Sequence, residues 1–380
     1  MTDATTFDAI VVGAGTMGTA AAWAFAKRGL RTLVIEQFTH VHTMGAHGGD
    51  TRIFRHAYAE SPDYVPLVRR ADELFQELNR ETGIEVLVRT GGLELSAPGH
   101  THVELARESA DEHGIPYEWL TPAEVRDRWP MVRVPDDWRA LFSPVGGVVK
   151  TDNTLRALMQ VARANGAVLH ENEKVTSWGA DATSAWVTTD KWTYHSAKLV
   201  IASGGWAPIV LQDLGLPIHI LRKTLWWLEV ENPGLFTPDR FPCFIADQPL
   251  GEIYGFPVFD ANGLKVADHS GGNPTTADTA DRTARDEEAA HIVEAAQLLF
   301  PGVTGKILRS VVCLYAMTPD HHFIVDRHPA YPHVAIGAGF SGHGFKFTPA
   351  VGEALVQLAC DDHAAPLPIL RIDRFAAAED

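Results

Sequence analysis

Cysteine is scarce: the 380 residues hold three, Cys243, Cys313 and Cys360, too few and too scattered for a disulfide framework or a clustered metal site. A reducing compartment is the expectation, and the cytoplasm the assigned place. Long apolar runs are missing as well. No stretch approaches the ~20 uninterrupted apolar residues of a spanning helix, and Met1-Thr2-Asp3-Ala4-Thr5-Thr6 carries no positive charge ahead of the first apolar run. Neither membrane insertion nor secretion is expected. Positive charge is in deficit, 32 Lys and Arg against 48 Asp and Glu for a formal net charge of -16, which argues against a nucleic-acid or anionic-membrane partner. A local basic pocket stays compatible with that balance. There is no internal repeat or low-complexity tract, and Ala377-Ala378-Glu379-Asp380 carries no peroxisomal or retention signal.

What the chain does contain is an ordinary globular composition, 46% hydrophobic and 21% charged, and enough length for two domains with sizeable cores. Near its start, the apolar run Ala9-Ile10-Val11-Val12 meets Gly13-Ala14-Gly15-Thr16-Met17-Gly18 and then an alanine-rich segment from Thr19 to Ala26. This reads as strand, tight turn and helix. Gly13 permits the turn, Gly15 lets the backbone approach a pyrophosphate, and Gly18 lets the helix pack against the strand. Unpaired amides at the helix start, around Thr16 and Met17, face the phosphates. The helix closes at Arg28-Gly29, and the strand Thr32-Leu33-Val34-Ile35 ends in Glu36, placed to accept hydrogen bonds from a ribose 2′-hydroxyl. Glycine-rich turns are common, but these flanks fit the ~30-residue βαβ unit of a dinucleotide site. The motif alone does not separate FAD from NAD.

A histidine- and glycine-rich loop follows, ending in Gly49-Asp50-Thr51-Arg52-Ile53-Phe54-Arg55-His56. On a helix, Arg52 and Arg55 would share a face and clasp an anion; the alternative is a solvated basic turn. Val68, Ala71, Leu74, Phe75 and Leu78 mark one buried stripe of a surface helix. Val86-Leu87-Val88 and Leu93-Glu94-Leu95 flank Thr90-Gly91-Gly92 as an expected hairpin, and Thr121-Pro122-Ala123-Glu124 is a capping box. From Gly146 the α/β pattern returns: a helix from Asn153 to Ala164, strands at Val168 to His170, Val175 and Ala185 to Val187, then Lys198 to Ala202 running into Ser203-Gly204-Gly205. A strand-rich region opens with Arg222 to Val230 and continues to about Cys313, interrupted by a charged helix near Asp286 to Phe300. Trp226 and Trp227 face opposite ways on their strand, so only one of them can point at a cavity, the other packing outward or into a core. Asp320-His321-His322 lacks a third ligand at helix spacing and reads as polar structure. The expected fold is α/β, with a Rossmann-like FAD-binding domain of the glutathione-reductase type interleaved with a mixed-sheet substrate domain. The cofactor domain is assigned 1–85, 150–215 and 322–380, and the substrate domain 86–149 and 216–321.

Several stretches together resemble the monomeric sarcosine oxidase and N-methyltryptophan oxidase family. They are the glycine turn, the loop from Gly49 to Tyr58, Tyr254-Gly255-Phe256-Pro257, Gly263-Leu264-Lys265, Cys313-Leu314-Tyr315, and Gly339-Phe340-Ser341-Gly342-His343-Gly344-Phe345-Lys346-Phe347. They occur in order over nearly the whole chain. The resemblance implies a monomeric FAD enzyme that oxidises the C–N bond of a small secondary amino acid such as sarcosine or N-methyltryptophan. Electrons pass to oxygen to give hydrogen peroxide, and the imine hydrolyses to an aldehyde and an amino acid.

By the same resemblance the flavin is joined through a thioether to Cys313, which taken alone is a buried structural thiol. Arg55 and Lys346 hold the substrate carboxylate, and Lys265 assists oxygen reduction beside the flavin; read blind, Lys265 is a solvated strand lysine. Tyr254 and His269 line the substrate cavity, with a surface histidine as the alternative for His269. Arg52 and His47 pack near the flavin, Val175 meets the adenine or is plain core, and Gly339, Ser341, Gly342, His343 and Gly344 direct amides at the flavin ring. The chain departs from the family at His47-Gly48, where a second histidine is common. Gly271-Gly272 leaves room for a side chain larger than hydrogen, so sarcosine and bulkier N-methyl amino acids both stay open. The rivals are a flavin dehydrogenase that passes electrons to a carrier and a flavoprotein without amine chemistry; Lys265 and the Arg55, Lys346 pair weigh against them.

Overall fold

The computed structural model describes residues 5–375. Met1 to Ala4 and Ala376 to Asp380, with most of the terminal segments read above for targeting signals, lie outside the described residues. Five parallel strands form the heart of the first sheet. Val168–His170, Thr32–Ile35, Thr6–Val12, Thr193–Ile201 and Tyr331–Ala338 lie in that spatial order. The register sets Val12 beside both Ile35 and Ile201, so carboxyl ends gather along one edge, where open α/β sheets bind ligands. Their central residues are apolar on both faces because helices cover one and strands such as His219–Val230 and Val303–Met317 cover the other. Thr16–Lys27 packs between Thr348–Cys360 and Thr151–Ala164, and the 18-residue helix Val65–Thr82 lays its expected stripe, Val68 to Leu78, into the same core.

The second sheet is mostly antiparallel and carries its own aromatic core of Trp226, Phe236, Phe241, Phe244 and Phe300. Its order is Asn273–Thr275, His219–Val230, Leu264–Asp268, Gly251–Phe256, Cys243–Gln248, Gly92–Ser96, Arg139–Ser143, Glu118–Leu120. The long strand Val303–Met317 runs along His219–Val230. That pair ties the layers together, since Ile220 and Leu314 are buried in the core of the first sheet while Trp226 lies in the core of the second. The strand-rich region therefore reaches Met317, four residues past Cys313. Among the described residues no helix is long and apolar enough to cross a membrane.

The expected hairpin around Thr90-Gly91-Gly92 does not form. Leu87–Val88 joins a small sheet with Gly147–Lys150 and Thr51–Phe54, whereas Gly92–Ser96 pairs with Cys243–Gln248 and Arg139–Ser143. Gly91 has φ +73°, and a Cβ there would fall 2.5 Å from the Phe142 ring. The glycines mark a sharp corner between sheets, and a corner signal does not say which strand comes next to which. The capping box is present, Thr121 Oγ1 accepting from the Glu124 amide at 3.3 Å while Glu124 Oε2 accepts from the Thr121 amide at 2.7 Å.

Candidate active site

Two contiguous cavities open at the carboxyl edge of the parallel strands. The larger, ≈ 200 Å³, is lined by Gly13, Gly15, Thr16, Met17, Glu36, His47, Val175 and Ser203, and further along by Gly339, Ser341, Gly342 and Gly344. Gly13 takes φ +92°, and a Cβ on it would sit 2.7 Å from the Ala202 carbonyl oxygen. Gly18 is off the wall; its missing side chain leaves space for the Gly13 carbonyl, 1.8 Å from where a Cβ would stand. This is the helix-packing task expected of the third glycine.

Glu36 accepts from the Ala14 amide at 2.8 Å and the Phe38 amide at 3.0 Å. Burial alone would raise its pKa, but the hydrogen bond and charge of His42, with these two amides, lower it, so a carboxylate stands at the end of the second strand. His47 is 2% exposed, and burial, reinforced by His42, pushes its pKa down to about 3. Its Nε2 and the Ser203 Oγ are buried without a partner among the described residues. A glycine turn at a helix start, an acid at a strand end and two buried polar atoms without partners fit an adenine dinucleotide.

The smaller cavity, ≈ 60 Å³, shares Arg52, Gly342 and Phe345 with the larger one, and adds Arg55, Glu60, Ile245, Glu252, Tyr254, His269, His343 and Lys346. Arg55 Nη2 donates to both Glu60 carboxylate oxygens, at 2.7 and 2.6 Å, its Nη1 donates to the Ala57 carbonyl at 2.9 Å, and the guanidinium lies over the Tyr58 ring. Burial would raise the Glu60 pKa, yet Arg55, His343 and Lys346 outweigh it and hold the carboxyl well below its usual range. Lys346 donates to the His343 carbonyl at 2.9 Å and the Tyr58 hydroxyl at 3.2 Å. Burial first, then the Arg55 charge, brings its pKa down to about 7. His343 Nε2 faces the His321 carbonyl at 2.9 Å, so that nitrogen carries the proton and Nδ1 accepts from the Tyr58 hydroxyl at 2.5 Å. Tyr254 and Tyr315 hydroxyls meet at 3.3 Å.

Arg52 and Arg55 are not on a helix. Thr51–Phe54 is a strand, and the two side chains part company: Arg52 donates to the carbonyls of Ala46, Gly48 and Thr51, and Arg55 turns to Glu60. Both nonetheless reach the smaller cavity. His343, expected against the cofactor, lines the smaller cavity instead. Lys265 and Cys313 line neither. Lys265 is 2% exposed, and its Nζ donates to Gly49 O, Thr51 O and Thr51 Oγ1 at 2.5, 2.8 and 3.1 Å. Three acceptors match the three protons of an ammonium, while burial pulls its pKa well down. Cys313 is fully buried, on the same strand face as Tyr315, which does reach the larger cavity.

Trp226 packs into the second core, while Trp227 turns toward Lys265 and Arg309, as alternation requires. Of the two glycines expected to leave room, Gly272 is crowded by Lys223, whose Cδ would stand 2.9 Å from a Cβ there, while nothing lies within 4 Å of a Cβ at Gly271; Lys223 Nζ donates to the carbonyls of His269, Ser270 and Gly271. Among the described residues no three His, Cys, Asp or Glu groups gather to hold a metal; Asp320 pairs with Arg374. Sequence reasoning missed Glu60 and Glu252. Glu60 follows Arg55 by five residues in a bend, a spacing with no regular periodicity, but Glu252 alternates with Tyr254 on one strand and was findable from period two.

The family described as DAO, FAD dependent oxidoreductase, matches residues 8–358. The chain belongs to this family. This oxidoreductase is 39% identical over 360 residues to a monomeric sarcosine oxidase from Bacillus sp. (strain NS-129), covering 93% of each chain. It is 32% identical to an N-methyl-L-tryptophan oxidase from Yersinia pestis (strain Pestoides F), covering 96% of this chain and 97% of that one. Among solved structures it resembles the open form of NikD, an unusual amino acid oxidase, with a TM-score of 0.85, 25% identity and coverage of 96% and 97%. The α/β fold with an FAD-binding sheet and a second sheet is thus that of the FAD-dependent oxidases, and the enzyme depends on FAD.

Proposed function

We propose that this enzyme oxidises a small secondary, N-methyl amino acid with oxygen as electron acceptor, as a monomer in the cytoplasm. The products are hydrogen peroxide and an imine that hydrolyses to an aldehyde and the amino acid. The observation that carries this is a small cavity lined by Arg55 and Lys346 that shares Arg52, Gly342 and Phe345 with the larger one, which holds the glycine turn and Glu36. A forked guanidinium and an ammonium suit a carboxylate, and holding it fixes the neighbouring carbon in one orientation.

Glu60 must release Arg55 for the clamp to close on substrate. His269, whose pKa burial lowers, faces the cavity as a neutral imidazole and accepts a hydrogen bond from the amine, favouring the form with a free lone pair. FAD, when bound, would supply the two-electron chemistry between substrate and oxygen. Lys265, held by three oxygens beneath the loop, supplies positive charge for oxygen reduction, and Gly13, Gly15, Glu36, His47 and Val175 hold the dinucleotide. We further propose that Cys313 carries the flavin as a thioether. Cys313→Ser is then expected to release FAD into the supernatant on acid precipitation, and colour pelleting with the variant would refute the attachment.

The reaction is tested by anaerobic bleaching of the flavin absorbance with sarcosine, N-methyltryptophan, proline and other secondary amino acids, followed by air. Rapid bleaching and rapid recovery are expected. Bleaching without recovery would indicate a dehydrogenase, and no bleaching by any secondary amine would sink the assigned reaction.

A further inference from the structure

The proposed reaction uses the cations of the smaller cavity and leaves one of its carboxylates without a role. Glu252 stands two residues from Tyr254 on the strand Gly251–Phe256, so both project from the same face, and both line the cavity. It is not one of the residues at the junction with the larger cavity. Behind it lies His102, whose Nδ1 is 3.6 Å from a Glu252 oxygen and whose Nε2 meets Glu94 at 2.6 Å. Glu94 is buried two strands away, with Ile245 between it and Tyr254 in the register. Burial would discharge His102, but its bond to Glu94 and the charges of Glu94 and Glu252 raise its pKa. One imidazole thus faces two carboxylates.

Glu60 and Glu252 differ in what neutralises them. Glu60 accepts from Arg55 Nη2 with both oxygens, whereas among the described residues Glu252 has no Arg or Lys partner and no donor within hydrogen-bond distance. At 3.6 Å its contact with His102 is ionic only. A carboxylate partly withdrawn from water, with unfilled lone pairs turned to a cavity, favours a ligand that brings its own N–H donors.

We propose that Glu252 selects amino acids whose side chain ends in a cationic hydrogen-bond donor, an ammonium or guanidinium, while Arg55 and Lys346 take the α-carboxylate. This rests on the amino acid oxidase reading above. Opposite charges lining one small cavity also select for chain length, because one ligand must reach both.

Binding to the holoenzyme is read from perturbation of the flavin spectrum by primary amino acids, so that turnover is not required. The pairs are 2,4-diaminobutyrate against norvaline, ornithine against norleucine, and lysine against 2-aminoheptanoate. At least one cationic member is expected to bind about tenfold or more tightly than its apolar partner, the worth of a charge-assisted hydrogen bond. In Glu252→Gln that ratio falls to about one, and Glu252→Lys shifts preference to glutamate. A wild-type ratio of one or less in every pair overturns the assignment without recourse to any variant, as does a ratio that survives in Glu252→Gln. The N-methyl forms of the same amino acids, scored for bleaching, report on the reaction separately. Bleaching without cationic preference refutes only Glu252 selectivity; cationic preference without bleaching refutes only the oxidase reading.

Discussion

Lys346 and Arg55 stand on the same wall and obey different rules, because a guanidinium stays charged when buried and an ammonium does not. With its pKa brought to about 7 by burial and by Arg55, Lys346 is charged below that pH and loses its proton above it. An anion favours the charged form, so binding a carboxylate draws a proton in. A simple carboxylate without an amine, titrated by flavin spectral perturbation, is therefore expected to weaken between pH 6 and pH 8.5, and Lys346→Met to flatten the profile. A flat wild-type profile would mean that Lys346 does not serve the carboxylate. Glu60 competes for Arg55 but also helps keep Lys346 protonated. The two effects separate in a Lys346→Met background, where no ammonium is left to discharge. There Glu60→Gln is expected to tighten carboxylate binding several-fold; weaker binding would show that Glu60 positions the guanidinium instead of occupying it.

Where helices cross, side-chain size is set by neighbours more than by propensity. Gly352 lies inside Thr348–Cys360, and a Cβ on it would stand 2.5 to 2.6 Å from backbone and Cβ atoms of Ala20 in Thr16–Lys27. Alanine in place of glycine gains about 1 kcal/mol in helix propensity, but forcing two backbones apart in a filled core costs about 1–3 kcal/mol. Gly352→Ala is expected to lower the melting temperature by a few degrees, and an unchanged or raised value would mean the helices separate without penalty. The same contrast explains what could be read beforehand. The stripe of Val65–Thr82, the capping box at Thr121 and the turn at Gly13 are local, carried by residues within one or two turns of each other, and each was legible. The partner of Gly92–Ser96 lies some 150 residues away in Cys243–Gln248, and no periodicity reports on that distance. Within the cavities, Arg55, Lys346, Tyr254 and His269 were found through the resemblance. Glu60 needed the bend that brings it back to Arg55, and the two arginines would share a face only on a helix, whereas Arg52 lies in the strand Thr51–Phe54 and Arg55 just past its end, where three-residue spacing does not keep side chains on one side.

Both layers meet on the larger cavity, whose walls come from the glycine turn near residue 13, from Glu173 to Val175, from Leu314 to Ala316 and from Gly337 to Phe345. A ligand that touches segments so far apart in sequence binds the folded chain and has no equivalent site on the unfolded one. Its contribution to stability follows mass action, about 2.7 kcal/mol at a hundredfold excess over the dissociation constant. If Cys313 holds the flavin covalently, the wild-type melting temperature is expected to ignore added FAD, because the cofactor cannot leave. Cys313→Ser, freed of its flavin by dialysis, is expected to melt lower and to recover as FAD is added, rising with the logarithm of its concentration. Should the wild type climb with added FAD in the same way, the cofactor exchanges and the thioether assignment fails, while the dinucleotide site stands. Should neither protein respond, the larger cavity is not where FAD binds.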